Sequence, residues 1–305
     1  MGASEWGMHI VVSGGSGFLG RALEQVLTSR GHRVSVLTRR ARPDRPTDIV
    51  WTPNGEAGPW ALALAGADVI VNLAGEGMAD ARWTSARKAA LLDSRLKATS
   101  SLVKAVQHTQ NGPRVFVSAS GVGYYGPRGD EPIREDTPAG HDFVATMAAA
   151  WEAAAAPAST VGRLVLLRTG LVLGGEGALA KMRLPFSLGV GGRLGSGRQW
   201  MPWIHVDDWA TLTATLITDT HATGAFNLTA PQPATNADFT RALGRALHRP
   251  AVIPVPAFAL RLALGEMADL LLTGQRAVPA KAQALGYVFR YPALAEALAA
   301  ALDPS

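Results

Sequence analysis

The feature that most constrains this chain is the heptapeptide Gly14-Gly15-Ser16-Gly17-Phe18-Leu19-Gly20. It follows a short β-branched run at 9–13 and opens an amphipathic stretch at 18–29, so it reads as a strand-to-helix turn. A turn that tight needs residues without a Cβ, and the helix behind it presents unpaired N–H groups and the positive end of its dipole. Gly20, one turn into the helix, lets it lie close on the strand. The spacing of three and three in this context predicts a pyrophosphate site on Gly14, Ser16, Gly17, Phe18, Leu19 and Gly20. A merely structural tight turn is the competing reading.

The segments that follow keep the same rhythm. Strands are expected at 33–37, 69–73, 115–118 and 164–168, with helices at 87–107 and 143–156 between them. Continuous apolar strands joined by amphipathic helices imply a doubly wound Rossmann-type α/β fold, its parallel sheet covered on both faces. After Ala230 the pattern changes to a helix at 236–247, a short strand at 252–255 between prolines, a helix at 258–272 and a last helix at 293–302. We therefore expect a dinucleotide-binding domain over 1–230 and a smaller C-terminal α+β substrate lobe over 231–305. The glycine- and arginine-bearing stretch at 184–204 reads as a substrate-side loop, and residues 1–7 as an extension ahead of Met8.

The end of the second strand bears on which dinucleotide is expected. A carboxylate there would hold an adenosine 2′-hydroxyl, but the sequence reads Leu37-Thr38-Arg39-Arg40. A guanidinium at this place pairs with a 2′-phosphate, so NADP is expected over NAD, with Arg39 ahead of Arg40 and Thr38 beside them. Two solvated surface arginines are the alternative. The net charge of +5 comes from scattered arginines rather than from one basic face, which argues against nucleic acid as a partner. The chain has no cysteine, excluding disulfides, thiol catalysis and zinc-thiolate sites; with no secretory signal and no apolar run of membrane length, a cytoplasmic location is expected. No metal site is expected, and no local signal speaks to oligomerisation.

Several further segments carry a resemblance. Asn72-Leu73-Ala74-Gly75, Ser118-Ala119-Ser120-Gly121-Val122-Gly123-Tyr124-Tyr125-Gly126, Arg168-Thr169-Gly170-Leu171-Val172-Leu173-Gly174 and Trp203-Ile204-His205-Val206-Asp207-Asp208 follow the glycine loop in order. Together they resemble the extended short-chain dehydrogenase/reductase superfamily, also called the NAD-dependent epimerase/dehydratase superfamily. Within it, Arg82-Trp83-Thr84, Ser94-Arg95 and Ala150-Trp151-Glu152 are similar to an uncharacterised group of epimerase family proteins with a small C-terminal domain. The resemblance implies cofactor contacts at Leu73, Ala74, Gly75, Glu76 and Ser118, and a serine, Ser120, on the catalytic strand.

It also exposes a departure. The superfamily's chemistry uses a tyrosine with a lysine four residues later, whose charge favours the phenolate of a group with a reference pKa of about 10. None of the four tyrosines here has lysine at that spacing, and the corresponding helix carries Phe143, Val144, Met147 and Ala148. The expected replacement is Ser120 with Tyr124 or Tyr125; simple packing of these hydroxyls under the loop is the other reading. Arg82, Trp83, Arg193 and Trp200 are candidate substrate contacts. Arg82 and Arg87 equally fit an exposed helix surface, and Glu76 a capping or solvated role. His205 reads as a structural hydrogen-bonder, and Asp207 and Asp208 as caps of a helix from Trp209. The expected function is an NADP-dependent oxidoreductase or epimerase-like enzyme acting on a small carbonyl or hydroxyl compound; a catalytically silent NADP(H) sensor or scaffold is the alternative.

Overall fold

A computed structural model describes residues 7–45 and 47–302. The reading of residues 1–7 as an extension thus lies, except for Gly7, outside the described residues. Seven strands form one parallel sheet: β1 (His9–Ser13), β2 (Arg33–Thr38), β3 (Ile49–Val50), β4 (Val69–Asn72), β5 (Val115–Gly121), β6 (Arg163–Thr169) and β7 (Gly224–Leu228). Their order is β7-β6-β5-β4-β1-β2-β3, so the chain runs outward one way from β1 and then restarts beside it with β4. That reversal opens a crevice at the carboxyl ends of β1 and β4, the place where ligands bind in sheets of this kind.

Alternation along the strands explains the layers. Ile10 and Val12 of β1 and Val69 and Val71 of β4 join Leu23 and Leu27 of α1 (Phe18–Ser29) in one apolar cluster. Val11 and Ile70, pointing the other way, join Leu102 of α2 (Ser85–His108) and Ala155 of α3 (Phe143–Ala155) in a second. Because both faces are covered, the strands are apolar throughout rather than alternating with polar residues. Each fully buried Leu or Ile contributes about 1.5–3 kcal/mol of transfer free energy.

The described residues of the C-terminal part share their core with the segment after β6. Phe239 and Leu243 of α6 (Asn236–Ala246) and Leu298 of the final helix Leu294–Leu302 pack with Leu173, Phe186 and Trp203. The last three belong to the segment after β6, which holds α4 (Gly177–Ser187) and the ladder Leu171–Leu173 with Trp203–His205. Two expectations are corrected. Residues 252–255 form no strand but one bridge, Leu194 to Val255, since Pro250, Pro254 and Pro256 lack the N–H a ladder requires. The helix expected at 258–272 breaks after Leu264, where Gly265 adopts φ 62°. Helix α5 (Val206–Thr218) starts earlier than the sequence suggested, with the His205 side chain accepting from the Asp207 amide, so Asp207 and Asp208 are not its caps. Asp208 instead accepts from the Arg290 and Tyr291 amides at 2.7 and 2.8 Å, pinning the C-terminal segment to α5.

Candidate functional site

The glycine turn is built as its chemistry demands. Gly14 sits at φ 74°, and a Cβ there would lie 2.7 Å from the Leu73 carbonyl. A Cβ on Gly20 would collide with the Cα of Gly15, so the first turn of α1 closes only with glycine. The Gly17 amide donates to the Gly14 carbonyl at 3.0 Å, fixing the turn. Gly17 then begins α1 with no side-chain cap and no acid in the first turn, leaving open amides beside exposed Ser16. The cradle fits a diphosphate: close backbone approach, free N–H donors and no acid in the first turn of the helix. One neighbour escaped the sequence reading. Glu176 accepts from Arg21 through both carboxylate oxygens at 2.6 Å, while a Cβ on Gly174 would lie 2.5 Å from the Phe18 ring. The segment after β6 therefore folds against the start of α1, a contact 155 residues apart in sequence.

At the end of β2, Thr38 Oγ1 donates to the Arg40 carbonyl at 2.9 Å and turns the chain outward. Arg39 and Arg40 are exposed and pair with no carboxylate among the described residues, whereas Arg42 is held by Asp48 and Arg45 by Glu24. Two of the four clustered guanidiniums are thus spent on the fold and two are not.

Beneath the crevice lies a buried polar network. Ser13 Oγ donates to Asn72 Oδ1 at 2.9 Å, Asn72 Nδ2 to Thr99 Oγ1 at 2.9 Å, and Trp151 Nε1 to the same Thr99 oxygen at 2.9 Å. The Ala74 amide also donates to Asn72 Oδ1, at 3.3 Å. Four elements are locked at their carboxyl or facing ends, which fixes the course of Leu73, Ala74 and Gly75 along the crevice. Ser118 is fully buried next to this network rather than on the open side. Glu76 pairs with Arg87, so its carboxylate is neutralised before any ligand arrives.

Beyond the crevice is a cavity of about 700 Å³, between the ends of β5 and β6 and the C-terminal segments. Ser120 is on its wall, and its hydroxyl donates to Glu152 Oε1 at 2.7 Å. Arg168 grips both oxygens of Glu152 at 2.8 Å. The same guanidinium donates to the Tyr125 hydroxyl at 2.9 Å and the Glu135 carbonyl at 3.0 Å, and lies 3.5 Å from the centre of the Tyr124 ring. Tyr125 does not fit the role expected for it. It is fully buried, its hydroxyl donates to Asn227 Oδ1 at 2.7 Å, and burial pushes its pKa up to about 12. Neither tyrosine is on the cavity wall, so Ser120 stands there without them. Phe143 and Met147, one helical turn apart on α3, occupy that wall where the resemblance would place tyrosine and lysine.

Of the expected substrate contacts, Trp83 and Trp200 line the cavity, with indole nitrogens on the Met78 carbonyl and Asp130 at 2.9 and 2.8 Å. Arg82 reaches toward the Leu262 carbonyl at 3.5 Å, and Arg193 donates to the Ser196 carbonyl at 3.0 Å; both are exposed and off the cavity wall. His205 is buried, and desolvation lowers its pKa; its Nδ1 is the acceptor that starts α5. Among the described residues no cluster of His, Asp or Glu able to hold a metal occurs, and no helix is long and apolar enough to cross a membrane. The sequence singled out Arg95 only as half of a two-residue signature, yet it is the one lysine or arginine among the described residues lining the cavity.

With this geometry in hand, comparison with known proteins is informative. Residues 10–229 match the NAD dependent epimerase/dehydratase family, and residues 255–301 match a domain of unknown function, DUF1731. The chain is 42% identical over 296 residues to the epimerase family protein SDR39U1 of Mus musculus, covering 95% of this chain and 98% of that one. The crystal structure of human SDR39U1 (isoform 2) with NADPH superposes with a TM-score of 0.90 at 38% identity, covering 98% of this chain and all of that one. UDP-glucuronic acid 4-epimerase from Bacillus cereus, solved with NAD, shares the fold at a TM-score of 0.74 over 96% of this chain and 95% of that one, at only 16% identity.

Proposed function

The chain belongs to the NAD dependent epimerase/dehydratase family, and from that premise we propose that it binds NADP(H) and carries out hydride chemistry on a small carbonyl or hydroxyl compound. The open amides behind Gly14, Ser16 and Gly17, with Phe18, Leu19 and Gly20 shaping the turn, hold the diphosphate. Arg39, with Arg40 behind it, takes the 2′-phosphate, and this is the observation that carries the choice of cofactor: it is a cation at the end of β2 with no protein partner among the described residues. The relative solved with NADPH supports the same reading. Leu73, Ala74 and Gly75 border the crevice on the nicotinamide side.

When bound, a nicotinamide supplies a carbon that takes or gives a hydride. Ser120 is the wall hydroxyl that meets the reacting oxygen. Its proton is committed to Glu152, so its lone pairs accept from a substrate hydroxyl and fix which carbon faces the cofactor. In oxidation the substrate carbon gives up a hydride and its hydroxyl a proton, which passes to Ser120 Oγ as the Ser120 proton moves on to Glu152; reduction reverses both transfers. Trp83 and Trp200 hold the substrate body and keep water out.

Fluorescence titration with NADPH and NADH tests the cofactor, followed by a panel of carbonyl compounds watched at the reduced-nicotinamide absorbance. Tighter NADPH binding with turnover is the expected result, and equal or absent binding of the two would overturn it. Phe143 and Met147 at the wall positions of the usual acid–base pair favour one second reading, a sensor that binds NADP(H) without catalysis. Tight NADPH binding with no turnover across the panel would select it.

A further inference from the structure

Arg95 projects from α2 behind the loop that follows β4, and only 7% of it is exposed. Its two terminal nitrogens donate to the Leu91 carbonyl at 2.9 Å and the Glu76 carbonyl at 3.0 Å. A guanidinium has five N–H donors, so these two bonds leave most of its capacity free, and Nε is buried with no partner among the described residues. No carboxylate pairs with it among the described residues. A buried charge left this way is expensive, whereas buried cations in folded proteins are normally paired. The orientation is nonetheless fixed, since the guanidinium also lies 5.0 Å from the centre of the Trp151 ring.

The acids around the same cavity are committed elsewhere. Asp142 accepts from the Ala145 amide at 2.8 Å and starts α3, Glu266 pairs with Lys88 at 2.5 Å, and Asp269 faces Arg261 at 3.4 Å. The rest of the wall is dominated by Trp83, Met147, Trp151, Trp200 and Leu271. The cavity thus offers one fixed cation and an apolar container.

We propose that Arg95 receives the carboxylate of the substrate, which makes that substrate a monocarboxylic acid with an apolar or aromatic body. This rests on the reading of the cavity as the substrate site. A single planar fork matches the two oxygens of a carboxylate, and one cation neutralises one negative charge; a phosphate dianion would call for a second. Burial lowers the pKa of Arg95 to about 10, which still leaves it charged at neutral pH. The other ligand near Arg95 is the cofactor, because a Cβ on Gly75, which borders the crevice, would lie 3.3 Å from Arg95 Cγ.

The test uses the full chain with phenylpyruvate and its uncharged methyl ester as probes, each titrated by calorimetry with and without NADPH, in the wild type and in Arg95→Met and Arg95→Lys. The wild type is expected to bind the acid on the order of tenfold to a hundredfold tighter than the ester. Arg95→Met abolishes that preference while NADPH affinity stays unchanged, and Arg95→Lys, which keeps the charge but loses the fork, retains part of it. Equal affinity for acid and ester in the wild type, or binding of neither, would overturn the proposal. So would an Arg95→Met variant that loses NADPH affinity and keeps the acid preference, since the cation would then serve the cofactor. Failure of the wild type to bind NADPH strikes the cofactor reading instead, and the acid-to-ester ratio measured without cofactor still decides the case of Arg95.

Discussion

Arg168 and Arg95 are both buried arginines, 5% and 7% exposed, but only Arg95 lines the cavity, and the two are opposites. Arg168 donates to Glu152 twice, to Tyr125 and to Glu135, and stacks on Tyr124; its partners hold its pKa above the usual arginine range despite burial. Arg95 has two carbonyls and an aromatic face, and burial lowers its pKa. The contrast separates a cation that completes the protein from one that the protein leaves incomplete. The largest expected effect tests the first. Arg168→Ala strands the Glu152 carboxylate in a dry site and should cost about 3–5 kcal/mol in urea unfolding. The double variant Arg168→Met with Glu152→Leu should recover most of that loss, because no lone charge remains. If the single and double variants unfold alike, Arg168 does not owe its place to Glu152.

The surface repeats the contrast in the arginine cluster after β2. Arg42 and Arg45 are engaged by Asp48 and Glu24, while Arg39 and Arg40 are not engaged among the described residues. Arg39→Ala should weaken NADPH binding on the order of tenfold to a hundredfold and leave NADH affinity unchanged. Arg45→Ala should leave both nucleotides unaffected. A parallel loss of NADPH and NADH in Arg39→Ala would mean that the residue serves the diphosphate or the fold rather than the 2′ position.

This division was only half legible in the sequence. The strands of the main sheet showed because both faces are covered and the runs at 9–13, 69–72 and 115–118 are apolar without alternation. The glycine turn showed because steric exclusion of a Cβ leaves a local mark. Strand β7, the short Gly-Ala-Phe-Asn-Leu at one edge, gave no such run, and its place depends on β6 beside it. Pairing leaves no local mark either. Glu152 and Arg168 are sixteen residues apart, and Tyr125 meets Asn227 from 102 residues away, so Tyr125 looked as available as Ser120. Nothing in the string Ser94-Arg95 says that one arginine will be buried without a counter-ion among the described residues; that follows only when α2, α3 and the loop after β4 close round it.

If the contrast is right, removing the incomplete cation should cost the fold little. Arg95→Met keeps a long apolar side chain against Trp151 and deletes an uncompensated charge, so its unfolding free energy should lie within about 1 kcal/mol of the wild type, or above it. A loss of the size expected for Arg168→Ala would show that the two carbonyl bonds make Arg95 a structural residue. Urea unfolding of the two variants side by side decides this without any ligand.

The smallest effect asks whether an unspent polar atom is informative away from a cavity. His205 Nε2 is buried and has no partner among the described residues, yet His205 is not on the cavity wall. Its ring stacks 4.0 Å from Tyr291, its Nδ1 accepts from the Asp207 amide, and Asp207, Asp208 and Arg290 are the charges that face it. Desolvation, the largest influence, outweighs the two carboxylates and lowers its pKa below 6.5. A base whose folded pKa is depressed binds fewer protons folded than unfolded, so stability is complete above pH 6.5 and declines as pH falls from there toward the folded pKa. His9 and His32 are shifted the same way, mainly by burial, and add to that acid limb. His205→Asn keeps a side chain able to start α5. Its unfolding midpoint should nearly match the wild type at neutral pH and fall less steeply on acidification. Identical slopes in the two proteins would mean that His205 takes up its proton in place, and that burial without a cavity had been misjudged as neutral.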